Sequence, residues 1–167
     1  MFKKRAWKII MEIVDVERLY KQQSRIRTIR KLQSEIDVIS SKLSSPGSVK
    51  LTDMPRNQNP FDKVGMLISR KIEKEKKLEM LINEALSESS ILEGVINCIS
   101  ILPEPAQGAC NSDYQDLLRY HFLNDLSMKE ILELMDVEDD ADNYESQMRL
   151  MYARKYDALQ KFIKCQG

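Results

Sequence analysis

Side chains able to do chemistry are few in this chain, and most of the informative ones lie in its C-terminal third. The one histidine, His121, stands in RYHF on a helical pattern, with no serine or cysteine nucleophile motif beside it. A general base needs a group whose proton it can take, so His121 reads as a surface or half-buried helix residue. The sequence holds no GxGxxG, P-loop, HExxH or paired CxxC. Cys98, Cys110 and Cys165 are odd in number and widely spaced, which is neither a disulfide framework nor a zinc pattern and suits a reducing cytoplasm. These residues point to a non-enzymatic protein with no cofactor and no catalytic residue.

A second concentration of polar chemistry is EDDADNYES, residues 138–146, with carboxylates at Glu138, Asp139, Asp140, Asp142 and Glu145. It lacks the D-x-[DN]-x-[DN]-G spacing and the glycine of a calcium loop, so no metal site is expected. The segment reads as a solvated loop or an acidic helix start, where carboxylates suit the helix dipole. Just beyond it, Arg149, Tyr152, Arg154 and Lys155 fall on the exposed side of an expected helix and are candidate DNA contacts. The acidic residues, with Arg25, Arg27, Arg30 and Lys31 of the N-terminal region, are candidate protein contacts.

Charge is strongly segregated although the net charge is zero. Residues 1–50 hold 12 basic and 5 acidic side chains, residues 80–148 hold 2 and 15, and residues 149–167 hold 5 and 1. A bipolar chain of this kind can pair with itself, head to tail with a second copy, or with two different partners.

The elements that must carry these residues are all helical. Apolar residues recur from about Ala6 to Leu43 at Ile9, Ile13, Val16, Leu19, Ile26, Ile29, Ile36, Ile39 and Leu43, in the heptad rhythm of a helix packed on one long partner. Pro46 and Gly47 end it, and Pro55 and Pro60 keep the next stretch turned. Asp62 is the expected N-cap of a second helix with Val64, Leu67, Ile68, Ile72, Leu78, Ile82, Leu86, Leu92, Ile96 and Ile99 on its stripe. The expected organisation is a helical hairpin over 1–102, with helices about 6–44 and 62–101 and a loop at 45–61. A linker at 103–112, marked by Pro103, Pro105 and Gly108, leads to a helix-turn-helix domain over 113–167 with the acidic insert 138–146. No apolar run is long enough to span a bilayer, and the opening MFKKRAWKIIMEIVDVE reads as an amphipathic helix, not a signal peptide.

Within 113–167, LLRYHFLNDLSMKEILELMDV gives two helices around a turn at Asn124–Ser127. Ser127 is an expected N-cap with Glu130 completing a capping box, and Leu117, Leu118 and Phe122 should face Ile131, Leu134 and Met135. This stretch, with YDALQKFI of the last helix, resembles region four of bacterial sigma factors in the version carried by small phage and prophage proteins, the ArpU/RinA-type late transcription regulators and related families. SRIRTIRKLQSEIDVISSKL and VKLTDMPR upstream resemble the same proteins, so the resemblance runs from about Tyr20 onward, on diffuse patterns. Leu118, Tyr120, Ile131, Leu134, Val137, Ala158, Leu159 and Phe162 match its core positions, and Met128 stands where the family commonly has tryptophan. Twenty residues separate Val137 from Ala158, more than the family usually places there, so 138–146 reads as an insert and the third helix is expected to begin near Gln147.

The resemblance implies an all-α fold and a transcription regulator in the cytoplasm of a bacterial host, contacting promoter DNA, host RNA polymerase, or both. The acidic charge beside the reading helix opposes DNA contact, because neutralising phosphates supplies much of DNA affinity. A protein-binding derivative of the same scaffold, aimed at a basic nucleic-acid-binding protein of the host, is the alternative, and a purely structural helical hairpin is a third. Heptad spacing and charge segregation favour a homodimer.

Overall fold

A computed structural model describes residues 2–45, 60–105, 108–135 and 144–166, with side chains described from 16 in the first helix and from 63 in the second. Among these residues the secondary structure is helical, with no strand. The long helices α1 (Phe2–Ser44) and α2 (Pro60–Asn97) are followed by a 3-10 turn (Cys98–Ile101), α3 (Asn111–Leu118), a π-helical turn (Arg119–Leu123), α4 (Met128–Leu134) and α5 (Tyr144–Gln166). None of them is long and apolar enough to cross a membrane.

Several boundaries differ from the sequence reading for local reasons. Pro60 lies at the start of α2, where its missing N–H costs nothing, so Asp62 is inside the helix and not its cap. The cap of α3 is Cys110, whose backbone N–H donates to Asp113 Oδ2 at 2.8 Å. Asn111 is therefore the first residue of α3 and is buried, donating from Nδ2 to the Leu102 carbonyl at 2.7 Å. Helix α5 begins at Tyr144, so Tyr144, Glu145 and Ser146 form its first turn rather than a connection.

The chain forms two compact units, residues 1–26 with 85–167, and residues 27–84. This division runs through both long helices and does not coincide with the 103–112 linker. In the first unit Leu19, Leu92, Ile96 and Ile99 join Tyr114, Leu117, Leu118, Phe122, Met128, Ile131, Met151, Ala158 and Phe162 in one core. Arg119 fastens α3 to the end of α2, donating to Glu93 at 2.6 Å, Asp116 at 3.0 Å and Asn97 at 2.6 Å. Burial disfavours its charge, but the hydrogen bond and charge of Glu93, then those of Asp116, outweigh it and raise its pKa. The second unit has a small core of Leu32, Ile36 and Leu78, flanked by Ile29 and Leu81. Beside it Lys74 donates to Glu35, holding that carboxyl below its usual range.

Candidate functional site

The turn between α3 and α4 is built from its own backbone. Asn124 N–H donates to the Arg119 carbonyl and Leu126 N–H to the Tyr120 carbonyl, both at 2.9 Å. Asp125 takes a left-handed conformation, φ 53°, which short polar side chains tolerate better than branched ones. Ser127 then caps α4: its Oγ accepts from Glu130 N–H at 3.3 Å, while Ser127 N–H donates to Glu130 Oε2 at 2.7 Å. The capping box read in the sequence is present.

Behind the π-helical turn lies a buried polar cluster. His121 Nδ1 is 2.9 Å from the Leu126 carbonyl oxygen. That oxygen can only accept, so Nδ1 carries the hydrogen and Nε2 offers a lone pair. Lys155 Nζ donates to that lone pair at 2.9 Å. The same ammonium lies 5.6 Å from the Tyr20 ring centroid and 5.4 Å from that of Phe122, within cation–π range. Burial pushes the Lys155 pKa down. Gln23, also buried, donates to the His121 carbonyl at 2.9 Å, and Gln22 donates to the Ala85 carbonyl at 2.9 Å.

Of the candidate DNA contacts, Lys155 is thus turned inward and half-buried, away from the outer face on which the sequence reading put it. Arg149 is exposed and paired with Glu145 at 2.6 Å. Tyr152 is exposed, and Arg154 is half-buried at the side of the helix. Beside Arg149, α5 turns three aromatic rings outward, with Tyr152 and Tyr156 56% and 65% exposed and Tyr144 54% exposed at its start; Glu145, Ser146, Ala153, Asp157 and Lys164 are exposed with them. The sequence reading missed Tyr144 and Tyr156, although the spacing of Tyr152 and Tyr156, one helical turn, was available to it.

Among the candidate protein contacts, Glu145 is in the first turn of α5, while Glu138, Asp139, Asp140 and Asp142 lie outside the described residues. Arg25, in the first unit, donates to Gln22 Oε1 at 2.6 Å. Arg27, Arg30 and Lys31 belong to the second unit and are exposed.

One expected core position is corrected. Leu134 is 59% exposed, whereas Ile131 is fully buried. The face α4 buries runs through Met128, Ile131 and Met135, with Leu132 beside it, and at about 100° per residue Leu134 falls roughly a third of a turn away. Met128 is buried. Val137 lies outside the described residues.

The cysteines form no disulfide; Cys110 is exposed, and Cys98 and Cys165 are half-buried. Burial, then the neighbouring Cys98, pushes the Cys165 thiol pKa up. Among the described residues no group of His, Cys, Asp and Glu could hold a metal ion. Comparison with protein-family models, curated proteins and solved structures finds no match to this chain.

Proposed function

We propose that this chain is a non-enzymatic protein-binding module on a helix-turn-helix scaffold, with α1 and α2 as an antiparallel hairpin preceding it. Within the first unit the two helices lie side by side: Arg18 of α1 donates to Glu88 of α2, and Gln22, one turn on, donates to the Ala85 carbonyl and to Ser89 Oγ. The helix-turn-helix reading draws support from the Ser127 cap, the tight turn at Asp125 and the common core of α3, α4 and α5.

The observation that carries the function is the outer face of α5. It presents Tyr144, Tyr152 and Tyr156 beside Arg149, and its nearest extra cation, Lys155, is engaged by His121. Tyrosine and arginine are the side chains enriched where protein interfaces concentrate their energy. A surface that neutralises phosphates needs several free cations instead. With 15 acidic against 2 basic side chains over 80–148, the fitting partner is a basic protein, such as a nucleic-acid-binding protein of a bacterial host. In that reading the tyrosines anchor the partner and the carboxylates steer it.

Arg149, Arg154 and Lys164 remain on α5, and through them a phage-type regulator contacting promoter DNA or RNA polymerase is the second reading. The first is tested by recovering the tightest bound protein and measuring its affinity for the parent and for the Tyr152→Ala/Tyr156→Ala double variant. A basic partner that the double variant binds at least tenfold more weakly is the expected result. Equal affinity for both forms overturns the assignment to this face.

A further inference from the structure

In the second unit, α2 turns Leu78 and Leu81 toward Leu32 and Ile36 and leaves exposed a second face that is apolar at its two ends and acidic between them. Val64, Ile68, Ile72 and Ile82 are 43%, 44%, 46% and 38% exposed. At about 100° per residue the four fall within a sector of about 80° on the helix. Single exposed apolar residues are ordinary, but a row of them on helical spacing marks an interaction surface. Glu75 and Glu79 lie in the middle of that sector and Lys71 at its edge.

We propose that this face receives a second copy of the chain, α2 lying antiparallel on the other copy's α2 about a two-fold axis at Glu75. The spacing around Glu75 is symmetric: Ile68 and Ile82 each stand seven residues from it, and Lys71 and Glu79 each stand four. A two-fold interface demands this reciprocity, since residue i meeting j implies that j meets i. Antiparallel pairing sets Ile68 of one copy against Ile82 of the other, and Lys71 of one against Glu79 of the other, twice over. Parallel pairing would set Lys71 on Lys71 and Glu79 on Glu79 as well as Glu75 on Glu75, whereas in the antiparallel pair only Glu75 of these three faces its like. Lys71 already leans toward Glu75 of its own chain at 3.6 Å, so in the pair it stands between that carboxylate and Glu79 of the second copy. That placement offsets the like charges that meet at the axis. A partner of unrelated sequence would have no reason to match this symmetry.

The test uses the full chain and does not depend on one variant folding. In sedimentation equilibrium the parent should exceed the 19.5 kDa of one chain and weigh twice that at saturation. Lys71→Glu should weaken self-association at least tenfold, and the exchange Lys71→Glu/Glu79→Lys should restore it, which a folding defect would not allow. Under mild oxidation Glu75→Cys should cross-link to its like, while Met80→Cys, on another face of α2, should behave as the parent does. A parent that remains a single 19.5 kDa species at high concentration, a charge exchange that does not restore association, or equal cross-linking of Glu75→Cys and Met80→Cys overturns the proposal.

Discussion

Lys155 Nζ lies 2.9 Å from His121 Nε2, so the one histidine of the chain accepts a hydrogen bond from a half-buried lysine. The pairing removes a cation from the face of α5 and ties that helix to the π-helical turn that leads into α4. Burial of the same amine gives stability a pH dependence of known sign. Burial lowers the Lys155 pKa below 10.5, so through that window the unfolded chain binds more protons and stability rises with pH. Tyr114 works in the opposite sense. Burial, then the charge of Asp157, raises its pKa above 10.0, so the folded chain keeps a proton that the unfolded chain releases, and stability falls as pH climbs past that value.

Lys155→Met keeps a stem against Tyr20 and Phe122 and removes the buried charge. The unfolding free energy of this variant minus that of the parent should therefore shrink as pH rises from neutral toward 10.5, with Tyr114 common to both and cancelling. Urea melts across that range check it. A difference that does not change with pH would contradict the buried-ammonium assignment.

Ile131 and Leu134 should respond to truncation very differently. Ile131→Ala opens a cavity in the core of the first unit and should cost about 2–5 kcal/mol, whereas Leu134→Ala, at a 59% exposed position, should stay within about 0.5 kcal/mol. Equal losses in thermal or chemical melts would mean that α4 packs through a different face.

The turn offers a backbone test. Asp125→Val forces a branched side chain into the left-handed region at φ 53° and should cost about 1–2 kcal/mol, while Asp125→Asn should cost much less. Ser127→Ala removes the acceptor for Glu130 N–H and should cost about 1 kcal/mol. Chemical denaturation of the three variants measures both effects, and an Asp125→Val protein as stable as the parent would mean that the turn relaxes.

The sequence made some of this plain and hid the rest for physical reasons. Ser127 and Glu130 were readable because a capping box is a local pattern whose two partners sit three residues apart. The two long helices were readable from their apolar period, but not which of two apolar faces of α2 is covered. Leu78 is buried and Ile82 is not, and only the packing partner decides that. Gln22 and Gln23 interrupt the α1 stripe between Leu19 and Ile26, at a place the heptad would fill with an apolar residue. That gap was the available signal for a buried polar site, although its partners Ala85 and His121 are far away in sequence. Lys155 was misplaced for a related reason. A lysine on a helix is expected to face water, and only the π-helical turn brings His121 to where it can draw that amine inward.

The most direct test of the central claim is a titration of labelled duplex DNA into the intact chain, and into a version lacking 138–143, at low and at physiological salt. Stopping the deletion at 143 spares the first turn of α5. A protein-binding module whose Lys155 is held inside by His121 should show no saturable binding in either form. Strong binding by the intact chain, weakening steeply as salt rises, would contradict the account and return Arg149 and Arg154 to a DNA-contacting role.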